Sequence, residues 1–462
     1  MKKKYVRWTL WTIASPFILF IILCILIYLP PIQNFLVDKA AVYASEATGM
    51  NISVGRISLS FPLNLVVTNV DAASPHNDTL LSVRRLQVNV QLLPLLKKQV
   101  EVDGISLQGA TVNSNDLIHG MRLNGTLGEL FISSHGVALD PETAIVNKVL
   151  LKDTDLSLCL NDTAAADTAA SDTTYWKIIL QDIDLQNVSF ALDMPLDSLS
   201  LAASLDNAIL RDGLIDLHKS AYSLQTFRIE NGRVRYDNGK PLAADSLSSG
   251  LDPSHIALTD IGVKLDSLYY GGRNMKAIIS QFVLKERSGV EIVSATGRMV
   301  SNDKVLRVPS LKLETRDSYL ELNAAMDWNA LDFKGEGLVS ARLMADIGKP
   351  DVVRFMGSMD EKFIRKYPSE PLRIRTGIDG DLNKLKLTTL TAELPGALEL
   401  FAKGELTSLT DSLLRGGDIT LQAETKDLKF ISTLAEGIEI PYGTRLEGKF
   451  TMAGPKMGTD LL

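Results

Sequence analysis

The sequence predicts a mainly β chain behind one membrane-spanning helix, and three observations predict it. Residues 8–29 carry no charge, the hydrophobic period beyond residue 50 is two, and helical spacing is scarce after Gly49. At 462 residues the chain is long enough for several domains or for one elongated, repetitive one. The 48 Lys and Arg against 55 Asp and Glu give a formal net charge of -7, with basic residues concentrated only at the start, so a nucleic-acid footprint is excluded. Cys24 and Cys159 lie far apart and supply neither a disulfide framework nor a thiolate metal site.

The run "WTLWTIASPFILFIILCILIYL", Trp8 to Leu29, forms a helix of ~33 Å at ~1.5 Å per residue, against a hydrocarbon core of ~30 Å. Phe17, Phe20 and Leu29 lie within this span, and Trp8, Trp11 and Tyr28 occupy its interfacial ends. Lys2, Lys3, Lys4 and Arg7 precede it, which places the N-terminus in the cytoplasm and the rest of the chain across the membrane. A cleaved signal peptide is the alternative. Its apolar core is about 7–15 residues, and here the small-residue stretch "AVYASEA" falls well past the run, while Pro30-Pro31 ends it. Residues 1–31 are therefore read as basic start and span. Residues 32–49 read as a juxtamembrane helix, with Phe35, Leu36, Lys39, Val42 and Tyr43 at helical spacing and Gly49 as its stop.

From residue 50 the alternation is that of half-buried antiparallel strands. In "LQVNVQL", Leu86, Val88, Val90 and Leu92 share one face. In "LELNAAMDW" the set is Leu320, Leu322, Ala324, Met326 and Trp328, and "LQAE" and "LEGKFTM" follow the same rule. The cadence "ISLQGATVN" (Ile105 to Asn113) returns as "IDLQNVSFA" (Ile183 to Ala191) and, more faintly, as "FRIENGRVR" (Phe227 to Arg235). Ile105, Leu107 and Val112 are assigned to the apolar face, with a bulge and change of face at Gly109-Ala110. "ENGR" (Glu230 to Arg233), "DNGK" (Asp237 to Lys240), "YGGRN" (Tyr270 to Asn274) and "LPGA" (Leu394 to Ala397) read as turns between strands. Residues 50–160 form a first β module, the polar run 161–174 a flexible loop, and residues 175–462 further β repeats, with a softer boundary near 237–254. The best helical spacing beyond Gly49 is Val352, Phe355, Met356, Met359 and Phe363.

One-faced strands must bury that face against helices, a second sheet or themselves. With helices nearly absent, three solutions remain: an ordinary sandwich or barrel, a self-stacking solenoid, or a long curved sheet whose apolar face is covered by something other than protein. No zinc-protease, phosphate-loop or nucleophile-elbow motif occurs. His76, His119, His135, His218 and His255 read as surface residues, and Asp153, Asp155, Asp182 and Asp184 as a solvated face. No catalytic residue, metal or cofactor is assigned, and the chain is not read as an enzyme. The triplet Asp-Ser/Thr-aliphatic recurs, for example at Asp78-Thr79-Leu80, Asp266-Ser267-Leu268 and Asp411-Ser412-Leu413. It reads either as turn chemistry or as an acceptor for O-glycans on exported proteins.

The order of features from Trp8 to Asn113 resembles the AsmA/TamB-like family of envelope proteins: basic start, single span, short helix, "ISVGRISLSFPLNLVVTNV", then "TLLSVRRLQVNVQLLPLLKKQVEVDGISLQGATVN". "VPSLKLETRDSYLELNAAMDW" and "LTTLTAELPGALELFAKGEL" are similar to the family's strand pairs. The resemblance implies an elongated, curved antiparallel β groove, taco-like, projecting from a bacterial inner membrane into the periplasm. It implies phospholipid transport between inner and outer membranes and envelope biogenesis. The alternative is a scaffold for outer-membrane β-barrel proteins that works by strand augmentation, within a protein secretion module. TamB-like chains are usually longer and end in a domain that meets an outer-membrane barrel; this sequence stops in mid-repeat, which reads either as a truncation or as a short AsmA-like relative and leaves that partner open. The candidate lipid-facing residues are Leu86, Val88, Val90, Leu92, Ile105, Leu107, Val112, Ile183, Leu185, Phe190, Leu320, Leu322, Met326, Trp328, Leu398 and Leu400.

Overall fold

In the computed structural model the period-two segments are strands. It describes residues 39, 41–42, 45–46 and 48–461, without 61–63, 75–77, 92–101, 115–119, 139–141, 162–174, 241–249, 335–336, 356–360, 434–440 and 455. The expected span at Trp8–Leu29 thus lies outside the described residues, as do Leu92 and the expected loop at 162–174. Among the described residues no helix is long and apolar enough to cross a membrane. Lys39, Ala41, Val42, Ser45, Glu46 and Thr48 are helical, and the Gly49 amide donates to the Ser45 carbonyl at 2.9 Å.

The chain divides into two compact units, Met1–Leu196 and Asp197–Leu462. The first holds β1 (Asn51–Ser60), β2 (Asn64–Ala73), β3 (Thr79–Val90), β4 (Val102–Asn113), β5 (Met121–Ala138), β6 (Thr143–Leu160) and β7 (Lys177–Met194). Each pairs with its sequence neighbour, antiparallel from β1 to β6. The β6–β7 pair corrects the all-antiparallel expectation: it is parallel, with Thr143 opposite Lys177 and Cys159 opposite Asp193. A parallel return needs a connection of roughly a dozen residues or more, which the segment between Leu160 and Lys177 supplies. The expected loop there consequently joins two strands of one unit.

The second unit is an antiparallel meander: β8 (Leu199–Asp216), β9 (Ala221–Leu224), β10 (Thr226–Asp237), β11 (His255–Gly271), β12 (Asn274–Glu286), β13 (Glu291–Ser301), β14 (Val305–Thr315), β15 (Tyr319–Asp327), β16 (Leu338–Ile347), β17 (Leu372–Asp381), β18 (Lys384–Leu394), β19 (Leu398–Thr407), β20 (Gly416–Thr425), β21 (Arg445–Ala453) and β22 (Lys456–Leu461). β9 and β10 follow one another between β8 and β11, which pair with both. The turns expected at 270–274 and 394–397 are hairpins, with Gly271 opposite Asn274 and Leu394 opposite Leu398. "ENGR" is not a turn; it lies inside β10.

Beyond Gly49 the α-helices among the described residues are few and short: α1 (Trp328–Leu331), α2 (Lys349–Phe355) and α3 (Glu361–Lys366). Of the helical spacing expected at 352–363, Val352 and Phe355 fall on α2 and Phe363 on α3, while Met356 and Met359 lie outside the described residues. They close a small core of Phe363, Tyr367, Leu394, Ala397, Leu428 and Phe430 at one end of the strands. At the other end Ala330, Val339 and Leu382 pack with Met326, Ile378, Leu385 and Leu409.

Candidate functional site

The cadence of "ISLQGATVN" marks one backbone event. Its fifth residue, Gly109, has φ +62, and the matching Asn187 and Asn231 have φ +51 and +53. Asn69, Asp153, Asp212 and Asp260 share this left-handed conformation inside β2, β6, β8 and β11, with φ between +49 and +53. Asn and Asp are the non-glycine residues that tolerate it best. What all seven share is shorter than the cadence: apolar, polar, then Gly, Asn or Asp, as in Leu107-Gln108-Gly109, Val67-Thr68-Asn69 and Leu151-Lys152-Asp153.

In the first unit these residues fall on one transverse line. Every pair of strands skips the same position, occupied in order by Gly55, Asn69, Arg84, Gly109, Gly128, Asp153 and Asn187, and register is kept across it. An inserted residue puts two consecutive side chains on one side of a strand. Here both are polar, as at Arg84-Arg85 and Gln186-Asn187, so the apolar alternation resumes on its original face. The neighbours on the line are small where space demands it: a side chain on Gly128 would meet the Asp153 Cβ at 2.8 Å.

The result is an unbroken aliphatic face. Ile57, Val67, Leu86, Leu107, Leu130, Leu151 and Leu185 lie opposite one another from β1 to β7, and so do Leu59, Leu65, Val88, Ile105, Ile132, Val149 and Ile183. Beyond the line come Val54, Val70, Val83, Ala110, Leu127, Thr154 and Val188, then a row containing Val112 and Phe190. The reverse face is largely polar: Arg56, Thr68, Arg85, Gln108, Glu129, Lys152 and Gln186 form one row of it, while Val66, Phe131 and Leu150 interrupt the next. Of the large residues on the aliphatic face only Val83 is fully buried; Ile105 is 36% and Phe190 39% exposed. No layer of described residues covers it.

The second unit repeats the pattern. Ala208, Ile229, Val263, Phe282, Ala295, Leu313, Leu320, Ala345, Ile374, Ala392, Leu400, Ala423 and Leu446 run strand to strand from β8 to β21. Alanines alternate with larger residues from Leu320 to Leu446. Ala345 and Ala423 are buried beneath half-buried neighbours, as interdigitated packing requires. Leu322 lies on a parallel row between Leu311 and Leu343, and Met326 opposite Leu306 and Val339. Leu398 packs against the core formed by α2 and α3, so that end of the face is covered while Leu320, Leu322 and Leu400 are half-exposed.

Trp328 departs from expectation. The strand ends at Asp327 and Trp328 opens α1, where its indole Nε1 donates to the Asn302 carbonyl at 2.6 Å and Arg273 lies 5.3 Å over its ring. His255 departs too, being buried rather than superficial. It opens β11 opposite Asp237, with Nδ1 2.7 Å from Asp252 and Nε2 3.6 Å from Asp237. Its hydrogen bond holds the Asp252 carboxyl below the ordinary value, assisted by the Ser254 amide. Asp153 and Asp155 are exposed, as the solvated-face reading has it, and bond Asn187 and Ser189 across the parallel pair.

Glu393, Glu399 and Glu424, in cross-strand order, line an open hollow of about 370 Å³. Arg373 and Lys426 pair with two of them, at 3.4 and 3.1 Å. Among the described residues no group of three or more His, Cys, Asp or Glu is placed to hold a metal ion. No family model matches the chain, and no curated protein matches it.

Proposed function

We propose that this protein is a membrane-anchored lipid-transfer groove, fixed in a bacterial inner membrane by Trp8–Leu29 and carrying phospholipid through the periplasm toward the outer membrane. The observation that carries the reading is the aliphatic face, continuous from strand to strand within each unit and, among the described residues, uncovered except where α2 and α3 close one end of the second unit. Moving an acyl chain through water costs about 0.8 kcal/mol per methylene, so a tail crossing an aqueous gap needs continuous apolar cover. Rows of Leu, Ile and Val with a largely polar reverse face supply it, and no enzymatic step is part of the reading. The likeness of residues 8–113 to AsmA/TamB-like chains supports the same conclusion.

The rival reading, a scaffold receiving β-barrel proteins by strand addition, needs open strand edges. Ser45 weighs against it at β1. Its Oγ accepts the Ile52 N–H at 3.0 Å, so part of that strand's backbone is already engaged. The test is photo-crosslinking in cells from Val88 and Leu322, with Gln87 and Glu321 on the reverse face as controls. Phospholipid adducts from the first pair and none from the second are expected. Adducts with outer-membrane proteins instead, or lipid from both pairs alike, would sink the groove.

A further inference from the structure

We infer that Phe333, past the end of β15, Leu338, at the start of β16, and the loop at 408–415 form an insertion tip that enters a phospholipid surface. The inference stands on strand-end residues, not on the aliphatic rows. α1 ends with the Lys334 N–H donating to the Asn329 carbonyl at 2.8 Å and the Phe333 N–H to the Ala330 carbonyl at 3.1 Å. That pair of bonds demands a left-handed residue at position 333, where glycine is the usual occupant. The residue is Phe333, with φ +54 and 73% of its surface exposed. A bulky aromatic thus bears backbone strain and exposure to water together. Strain of this kind collects at functional positions.

The neighbouring loop presents Leu413 and Leu414, 77% and 71% exposed. Their amides donate to Asp411 Oδ1 at 2.8 and 3.2 Å, and Arg415 is tied to Gly454 by bonds of 2.8 and 3.0 Å. The backbone is held while the side chains project. Leu338, 66% exposed, stands at the start of β16. Both loops rest on one support, since Ala330, Val339 and Leu409 belong to the same apolar cluster.

A lipid surface fits these features better than a protein partner. The apolar groups stand on separate loop tips rather than in one flat patch, and long cationic side chains flank them, the pattern of interfacial insertion. Among the described residues the acids between are already engaged: Asp332 by Arg273 at 2.8 Å and Lys334 at 3.5 Å, Asp411 by the two leucine amides. The tip also adjoins the aliphatic face, because Val339 lies opposite Met326.

The test uses the full chain in nanodiscs, with Cys24 and Cys159 replaced by serine and an environment-sensitive fluorophore on Leu414→Cys. Tyr442→Cys, at the opposite end of the strands and 76% exposed, is the control. Acceptor vesicles of phosphatidylethanolamine and phosphatidylglycerol, with and without brominated acyl chains, are added. Blue-shifted emission and bromine quenching at 414 but not at 442 are expected. Phe333→Gly should weaken vesicle binding about fivefold while its melting temperature holds or rises. No quenching at 414, equal quenching at both sites, or a blue shift without quenching, as a protein contact would give, overturns the inference; so does a lower melting temperature for Phe333→Gly. Lipid adducts at Val88 and Leu322 read the groove separately, so either idea can fail alone.

Discussion

Asn187 donates from Nδ2 to Asp153 Oδ1 at 2.9 Å, and both residues hold left-handed backbone, φ +51 and +49, at facing positions of the parallel strands β7 and β6. The contact holds register in this parallel pair and keeps the aliphatic face unbroken there. Replacing Asn187 by Val should cost about 2 kcal/mol, because a β-branched residue in that conformation carries a penalty of about 1–2 kcal/mol and the bond is lost. Asn187→Gly loses only the bond and should melt between the two. Thermal melts of the three proteins check the order, and a valine variant as stable as the parent would remove the backbone account.

An uncovered face and a packed core answer polar substitution differently. Leu107 is half-buried on the aliphatic rows, so Leu107→Asp should lower stability by less than about 1 kcal/mol while abolishing lipid co-purification. Phe363 is 2% exposed in the core beside α3, so Phe363→Ala should cost about 3–5 kcal/mol. Differential scanning fluorimetry with lipid mass spectrometry reads both. A loss for Leu107→Asp as large as that for Phe363→Ala means protein covers the face.

The alternation of Leu86, Val88 and Val90 was legible because a period of two needs only local pattern. The switch of phase at Gly109-Ala110 was legible too, since the apolar positions pass from odd to even, although in the structure they stay on one face. What stayed hidden was that Asn and Asp serve the same event. "ENGR" carries turn chemistry, and a left-handed residue is demanded alike by a turn and by a mid-strand bulge; only the partners of β10 separate the two. Trp328 sits in phase with Met326, and nothing local says that the strand stops between them. The parallel pairing of β6 and β7 is a long-range choice, set by facing side chains such as Asp155 and Ser189, 2.6 Å apart.

Tyr367 gives the protein an alkaline limit. Burial in the core beside α3 raises its pKa above the ordinary phenol value, since the phenolate would lose hydration. A folded value above the unfolded one means a contribution to stability fully present below about pH 10 and lost as the pH rises through the raised value. Melting temperatures of the parent should fall over that window, and those of Tyr367→Phe should fall less. Parallel curves for the two proteins would falsify the assignment.

Asp351 is the largest fully buried side chain described, and its partners show what it holds. It accepts from Thr315 Oγ1, from Ser318 Oγ at 2.6 Å and from Arg354 Nη1 at 3.0 Å. Arg354 also reaches Asp317 at 2.8 Å, and the Gly348 amide donates to Ser318 Oγ at 3.1 Å. One carboxylate thus pins α2 to the turn between β14 and β15, and through α2 the helical cover at that end of the aliphatic face. Asp351→Ala leaves two hydroxyls short of a buried partner while Arg354 keeps Asp317, a loss of about 1–3 kcal/mol. Asp351→Asn keeps the volume and one acceptor and should lose less. Hydrogen exchange places the damage: faster exchange across 349–355 and 315–318, with β1–β7 in the other unit unchanged. Uniform acceleration of both units instead would mean that Asp351 supports the whole fold rather than this junction.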